Sequence, residues 1–501
     1  MIYITLLRTN ETMRLTIVSY LTAIMALAMS VCACNDDEEF TTDPAATISF
    51  SRDTVSFDTI FTKTISVTER FCVYNRGSKG VRLASVALAS GGTSGFMINV
   101  DGQSGEVVRD VPISDGDSIF VFVKVKLDEQ HSDRPVLNSD NIVFTLESGV
   151  ESSVRVEASG QDCEAKQGYT LTRDTTLTSV GLPLVVFDSL VVAENATLTM
   201  EEGTTLYFHN GANLVVRGSL KVRGTKDNPV IFRGDRLDWM FSYLPYDRLN
   251  NQWGGIMFMP SSCGISIDYA DIHSGSGGIE CKQVKDLLTI TNTVIHNMGG
   301  YGLRLEDCNA TVANSQITNC KYDCVNIVGG NTQFYHCTIG QFYPWSANRG
   351  CGLAIYDFIS SGEDGEGGDP VMHPIEQSQF YNCFVTGYSK DEVYAFYKGD
   401  KEELNVNFHN CVLLTDLKDE KFFDSCVADH KDSLKYQQTN FRTFDTHAFI
   451  YDFRLDSLST ARGKGSTEYS RLYPTDMDGN PREDKPDAGC YQYVGGKVRR
   501  E

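Results

Sequence analysis

The chain is poor in features that would settle its function at once. It has no excess of basic residues: 44 Lys and Arg stand against 66 Asp and Glu, a formal net charge of −22 over 501 residues. Phosphate backbones are held by Lys and Arg that release counterions, so no nucleic acid partner is expected. The apolar run Leu15 to Met29 is too short and too near the start to be read as a membrane-spanning helix. The 15 cysteines include no CxxC pairs of the zinc-site kind, and Cys320 and Cys324, four apart, lack partner ligands at a matching spacing. Two cysteines lie in the first 34 residues, and the odd number beyond them argues for small buried thiols rather than a complete disulfide framework. What is present is globular: 41% hydrophobic and 22% charged residues leave little room for disorder. The length favours two domains.

The N-terminus names a compartment. From Met13, the expected start, Arg14 supplies a positive charge, Leu15 to Met29 an apolar run, and Val31-Cys32-Ala33-Cys34 follows. This resembles a bacterial lipoprotein signal. The resemblance implies lipidation at Cys34, which follows the small Ala33, whereas Cys32 follows the β-branched Val31. Asn35-Asp36-Asp37-Glu38-Glu39 resembles the acidic surface-export tag of Bacteroidetes lipoproteins, with a solvated linker as the alternative. The implied arrangement is a signal over 1–33, a linker over 34–45 and a lipid in the membrane, with the protein on the outer face of the outer membrane or facing the periplasm.

Residues 46–162 read as antiparallel strands. Ser118-Ile119-Phe120-Val121-Phe122-Val123-Lys124-Val125 is strongly β-forming, and Val154, Val156 and Ala158 alternate with Ser153, Arg155 and Glu157. Turn signals at Asn75-Arg76-Gly77, Asp101-Gly102 and Asp115-Gly116-Asp117 have sandwich spacing. Phe71 to Gly77 and Ile98 to Gly102 resemble an immunoglobulin-like module, which implies a spacer or docking surface without catalytic residues.

Residues 163–495 carry a repeat. TNTVI, ANSQI, YHCTI, YNCFV and HNCVL align on Ile295, Ile317, Ile339, Val385 and Leu413, with intervals of 22, 22, 46 and 28, and Ile272 sits 23 earlier. A repeat of about 22 residues built from short β runs predicts a single-stranded right-handed parallel β-helix. The leucine and asparagine frame of leucine-rich repeats is missing. Asn292, Asn314, His336, Asn382 and Asn410 form a side-chain ladder at a turn, beside a column of small residues, Thr293, Ser315, Cys337, Cys383 and Cys411. Free thiols are expected in that column, because strands stacked about 4.8 Å apart suit a disulfide poorly.

The short strands Leu190 to Val192, Leu206 to Phe208, Leu214 to Val216 and Val230 to Phe232, Trp253-Gly254-Gly255-Ile256, and the tail Asp476 to Arg482 ending at Asp487 to Tyr491 resemble Bacteroidetes β-helix (pectin-lyase-like) lipoproteins. The likeness speaks to architecture, since this fold hosts lyases, hydrolases, adhesins and inert scaffolds. The clustered aspartates of polygalacturonases are missing, as is the calcium and aspartate set of pectate lyases.

Aligning Ile279-Glu280-Cys281-Lys282, Leu303-Arg304-Leu305-Glu306, Val325-Asn326-Ile327-Val328 and Leu353-Ala354-Ile355-Tyr356 places Glu280, Arg304 and Asn326 in one outward column. Lys282, Glu306 and Tyr356 fall in the next. Glu280, Arg304 and Lys282 are the candidate catalytic set, with Asp268, Asp271 and His273 second. The simpler alternative is that Glu280 pairs with Arg304, and Lys282 with Glu306, as opposite charges on adjacent strands. Candidate glycan contacts are Asn326 and Tyr356, and Trp239, Tyr243 and Tyr246 of an insertion that also holds Phe241, Asp247 and Arg248; the insertion could equally pack on the helix flank. No cofactor is evident. Calcium is the one metal considered, through Glu363, Asp364, Glu366 and Asp369 in a glycine-rich insertion that also reads as a solvated loop. Asp476-Met477-Asp478-Gly479 reads as a turn. Three functions share these features: binding or presenting an extracellular polysaccharide or surface partner, acting as a polysaccharide lyase or glycoside hydrolase, and serving as a structural or adhesive rod.

Overall fold

The computed structural model describes residues 39–360, 369–400, 404–419, 421–429, 440–482 and 484–495. The signal, Cys34, the acidic residues up to Glu38, and Glu363, Asp364 and Glu366 lie outside them. The described chain divides into two compact units. One gathers residues up to Ser56, Ile65–Leu127 and Asn138–Glu157; the other takes Phe57–Thr64, Asp128–Leu137 and the chain from Ala158 onward. None of the described helices is long and apolar enough to cross a membrane.

The first unit is built on two five-stranded sheets. In the strand Ser118–Val125, Ile119, Val121, Val123 and Val125 are buried and alternate with more exposed residues, the period-two pattern that puts one face of a strand into a core. Phe71 of this sheet meets Phe144 of the other edge-on, with ring centroids 6.2 Å apart. The expected β-sandwich is present.

The second unit is a right-handed parallel β-helix. A representative coil runs through Leu287–Thr291, Val294–Met298 and Leu303–Glu306. Each strand pairs in parallel with its counterpart one coil on: Leu287–Thr291 with Asn309–Ala313, Val294–Met298 with Gln316–Cys320, and Leu303–Glu306 with Val325–Val328. Three ladders result, here called first, second and third in the order the chain visits them. The aliphatic column lies in the second ladder in the predicted register, Ile272 on Ile295, Ile317, Ile339, Val385 and Leu413, and every member is fully buried.

Two residues connect the first strand of a coil to the second, and the asparagine ladder occupies the first of them. Asn292, Asn314, His336, Asn382 and Asn410 all adopt φ between 46° and 53°. This left-handed conformation is costly for most side chains but tolerated by Asn. It turns the chain while each backbone N–H still donates to the next coil, as from Asn314 to Tyr335 O at 2.9 Å and from Asn382 to His409 O at 2.9 Å. The small-residue column beside it, from Thr293 to Cys411, is wholly buried, and the thirteen cysteines from Cys72 onward are free thiols.

The C-terminal segment folds back over the outward face of the second ladder. Phe441, Phe453, Ala488 and Tyr491 cluster with Phe342, Phe384 and Val412. It docks on the asparagine ladder: Asn314 donates to Thr475 O at 2.9 Å and accepts from Arg482 at 2.9 Å, while Asn382 accepts from Ser466 N at 2.7 Å. The tail read as a turn at Asp476 is one, closed by Gly479 N donating to Asp476 O at 3.0 Å.

Replacing Asn314 separates the two roles of this ladder. Asn314→Ala and Asn314→Gly both lose the amide bonds to Thr475 and Arg482, but only glycine accepts φ of 46° without a Cβ penalty. Denaturant titration should place the alanine variant about 1 kcal/mol below the glycine variant. Equal stabilities would show that the backbone conformation does not select the residue.

Candidate functional site

Two surfaces of the β-helix gather polar side chains beside a cavity. On the third ladder, strand alternation sends Met257, Glu280, Arg304, Asn326, Ala354 and Tyr394 into one outward column. Lys282, Glu306, Val328, Tyr356 and Phe396 form its neighbour. Register is as predicted, but four members are buried, Val328 and Ala354 among them. Glu306 and Asn326 are each only 3% exposed. Glu306 is covered because it is paired on both sides, with Lys282 at 3.3 Å and with Arg304 at 3.3 Å. The expected pairing of Arg304 with Glu280 is therefore corrected: Arg304 turns along its own strand to Glu306. Asn326 is drawn in by a bond from its amide to Asp323 at 2.8 Å.

Glu280 and Arg304 line a cavity of about 310 Å³ with Met257, Tyr301, Tyr322 and the backbone of Gly277 and Gly278. The Arg304 guanidinium lies 5.2 Å from the Tyr301 ring centre, and the Tyr301 ring packs on Tyr322 at 5.2 Å. Among the described residues the buried Nε of Arg304 has no hydrogen-bond partner. Burial pushes the Tyr301 phenol up, with Arg304 opposing. Farther along the face Tyr356 stacks on Phe396 at 4.7 Å, and Tyr394 lies parallel to Phe396 at 6.0 Å. Tyr322, Tyr394 and Phe396 are 39–49% exposed.

The second surface joins three segments distant in sequence. A cavity of about 400 Å³ lies between the outward face of the second ladder, at His296, Gln316 and Thr318, and the C-terminal hairpin at Phe449 to Arg454, with Arg248 of the insertion at its wall. Arg248 also donates to Ala448 O at 3.2 Å. At the edge of this cavity is a relay of charges. His273 is buried, its Nδ1 2.9 Å from Asp271 Oδ1 and its Nε2 2.8 Å from Asp247 Oδ1. Asp271 Oδ1 is also 3.1 Å from His296 Nε2, and Asp247 pairs with Arg233 at 2.9 Å. Burial alone would push the His273 imidazolium down; Asp271 and Asp247 outweigh it and hold it at about 9. Burial likewise opposes the charge on Asp271, yet His273 and His296 keep its carboxyl below the ordinary range.

Of the second-choice set, Asp271 and His273 come together, while Asp268 stands on the first ladder and accepts from Thr291 and Asn292. The reading from sequence missed His296 and Arg233. His296 was within reach: the alignment that stacks Ile272 on Ile295 puts His273 and His296 in one column. The insertion's aromatics are divided. Trp239, Phe241 and Tyr243 are about half exposed on a short hairpin, whereas Tyr246 lies under the Arg236 guanidinium at 3.1 Å. The insertion meets the second ladder through Asp247, so these residues do not join Asn326 and Tyr356, which belong to the third. A cavity of about 600 Å³ on the sandwich is lined by Phe96, Met97 and Phe122, with Glu106 and Lys124.

A family model described as a right handed beta helix region matches residues 185–339. The matched region spans the coils that carry Glu280 and Arg304 and those that carry Asp271, His273 and His296. No curated protein matches the chain. Among solved structures the chain is similar to a protein of unknown function from Porphyromonas gingivalis, 13% identical over 25% of this chain and 50% of that one, with a TM-score of 0.18. It is also similar to an ASH/PapD-like domain of human CEP192, 16% identical over 25% of this chain and 92% of that one, with a TM-score of 0.17. The chain thus spans half the length of the Porphyromonas protein. Likenesses of this extent carry no argument on fold or function.

One buried acid holds the end of the third-ladder face. Glu392 is fully buried and accepts from Gly352 N at 2.8 Å and from Ser389 N at 2.7 Å, fixing the starts of the strands that bear Tyr356 and Tyr394. Burial pushes its pKa from 4.5 to about 8 against those bonds. A folded-state pKa raised in this way contributes stability that is fully present below the unfolded value and is lost as pH rises through about 8. The free energy of unfolding should fall between about pH 5 and pH 8, with a component of at most about 1.4 kcal/mol per pH unit that Glu392→Gln removes. An unchanged slope in that variant would show that Glu392 ionises normally.

Proposed function

We propose that this protein is a lipid-anchored component of a bacterial cell envelope that binds or presents an extracellular glycan on the third-ladder face of its β-helix. The observation that carries the reading is a set of exposed aromatics, Tyr394 and Phe396 on the third ladder with Phe396 stacked on Tyr356, and Tyr322 in the turn leading into that ladder, packed on Tyr301 and lining with Glu280 and Arg304 a cavity of about 310 Å³. Aromatic faces take up the apolar faces of sugar rings, and carboxylate and guanidinium groups bond their hydroxyl or carboxylate groups. Exposed apolar residues gathered on one face of a folded protein mark contact surfaces. The anchoring part rests on the lipoprotein-like pattern ending at Cys34, and the N-terminal sandwich then serves as an immunoglobulin-like spacer between lipid and β-helix.

Titrating the purified full chain with plant, host and microbial oligosaccharides tests the reading. Saturable affinity is expected for a subset, weakened about 2–10-fold by Tyr322→Ala or Tyr394→Ala, since an aromatic contact is worth about 0.5–1.5 kcal/mol. Mass spectrometry of the same mixtures separates binding from chemistry. Oligosaccharide release that disappears in Glu280→Ala or Arg304→Ala would make the protein a lyase or hydrolase, and absence of both affinity and release would leave the structural rod.

A further inference from the structure

We propose that Asp271, His273 and His296 form a binding site for one divalent transition-metal ion, of which zinc is the representative. The proposal is independent of the glycan reading, because this cluster stands on the second ladder. Asp271 and His273 are two residues apart on the strand Ala270–His273 and therefore share its outward face. His296 on the strand Val294–Met298 is the register partner of His273. One donor atom from each of the three lies within 4.8 Å of the others, and Asp271 Oδ1 is already 2.9 Å from His273 Nδ1 and 3.1 Å from His296 Nε2. Small side-chain rotations bring such donors to the bond lengths of about 2.0–2.2 Å that zinc takes with nitrogen and oxygen.

The surroundings favour the same conclusion. A metal-bound imidazole commonly donates its other ring N–H to a carboxylate, which sets its orientation and raises its basicity. With Nδ1 facing the site, His273 Nε2 lies 2.8 Å from Asp247 Oδ1, and Arg233 holds that carboxylate at 2.9 Å. The two imidazoles select against calcium, which takes oxygen ligands. Three protein ligands leave a coordination position for water. His296 lines the cavity of about 400 Å³ walled by Arg248, Gln316 and Tyr451, so a ligand entering that cavity approaches the ion directly.

The test is equilibrium dialysis of the full chain against micromolar zinc, with bound metal counted by mass spectrometry, beside His296→Gln, Asp271→Asn and Asp247→Asn. One zinc per chain is expected, with affinity lowered more than ten-fold when a ligand is replaced and about 10–100-fold when Asp247 is. X-ray absorption of the zinc-loaded wild type needs no variant and guards against misfolding; it should show two imidazoles and oxygen. Zinc that binds equally to His296→Gln, or whose absorption shows sulfur from the free thiols, would overturn the proposal. So would the lack of saturable binding, which would leave the cluster as an ion-pair relay.

Discussion

The structure depends on one constraint: each coil hydrogen-bonds in register to the coil beside it, so every residue stands on its own counterpart. Strand spacing of about 4.8 Å is close to the contact distance of stacked rings, which makes like-on-like columns favourable. Inside the first ladder Phe334, Phe380, Phe408 and Phe423 stack at 4.9, 4.7 and 5.4 Å. Outside it Tyr335, Tyr381 and His409 do so at 4.7 and 5.0 Å. The register survives the corner between ladders because the asparagine turn reverses the sign of φ without removing its N–H from the inter-coil bonds.

That register also decides which faces remain open. The outward face of the second ladder carries Gln316, Thr338 and Phe384, and the C-terminal segment covers them, with Tyr491 Oη donating to Gln316 at 3.1 Å and Cys490 N donating to Thr338 at 3.0 Å. The cover leaves a gap where the hairpin meets His296 and Arg248, and this gap, at about 400 Å³, is larger than the third-ladder cavity of about 310 Å³. On the third ladder Tyr394 and Phe396 keep their exposure, as does Tyr322 in the turn before it. The two candidate sites therefore differ in kind, one a recess under a closing segment and the other an open face.

What repeats was legible in the sequence. The aliphatic column, the asparagine column and the small-residue column each satisfy a local demand, for core volume, for a left-handed turn or for a tight corner, and a demand met once per coil leaves a period in the chain. The sandwich was legible by alternation in the same way. Partner choice among outward charges was not. Cross-strand register put Arg304 beside Glu280, but a long guanidinium reaches either a facing residue or one two positions along its own strand, and it takes Glu306. Nor could periodicity find Asp247, which arrives from an insertion that interrupts the repeat, although the pairing of Phe232 with Ile272 puts Arg233 one coil before His273.

The contrast between columns says where function can reside on such a scaffold. Inward on the third ladder, Ile279, Leu303, Val325, Leu353 and Val393 are interchangeable aliphatics, because each must fill the same cross-section. The adjacent outward column runs Met257, Glu280, Arg304, Asn326, Ala354 and Tyr394, with no residue type repeated. At Met257 and Tyr394, which reach solvent, stacking tolerates that variety because solvent relieves the need for complementary volume, whereas Asn326 and Ala354 are buried. In the second ladder His273 is followed by His296, then Thr318, Gly340 and Thr386, so the imidazoles occupy two consecutive coils and no more. A pair that the repeat does not require, held by Asp271 of its own strand and by Asp247 of an insertion that the repeat does not supply, is not explained by coil stacking.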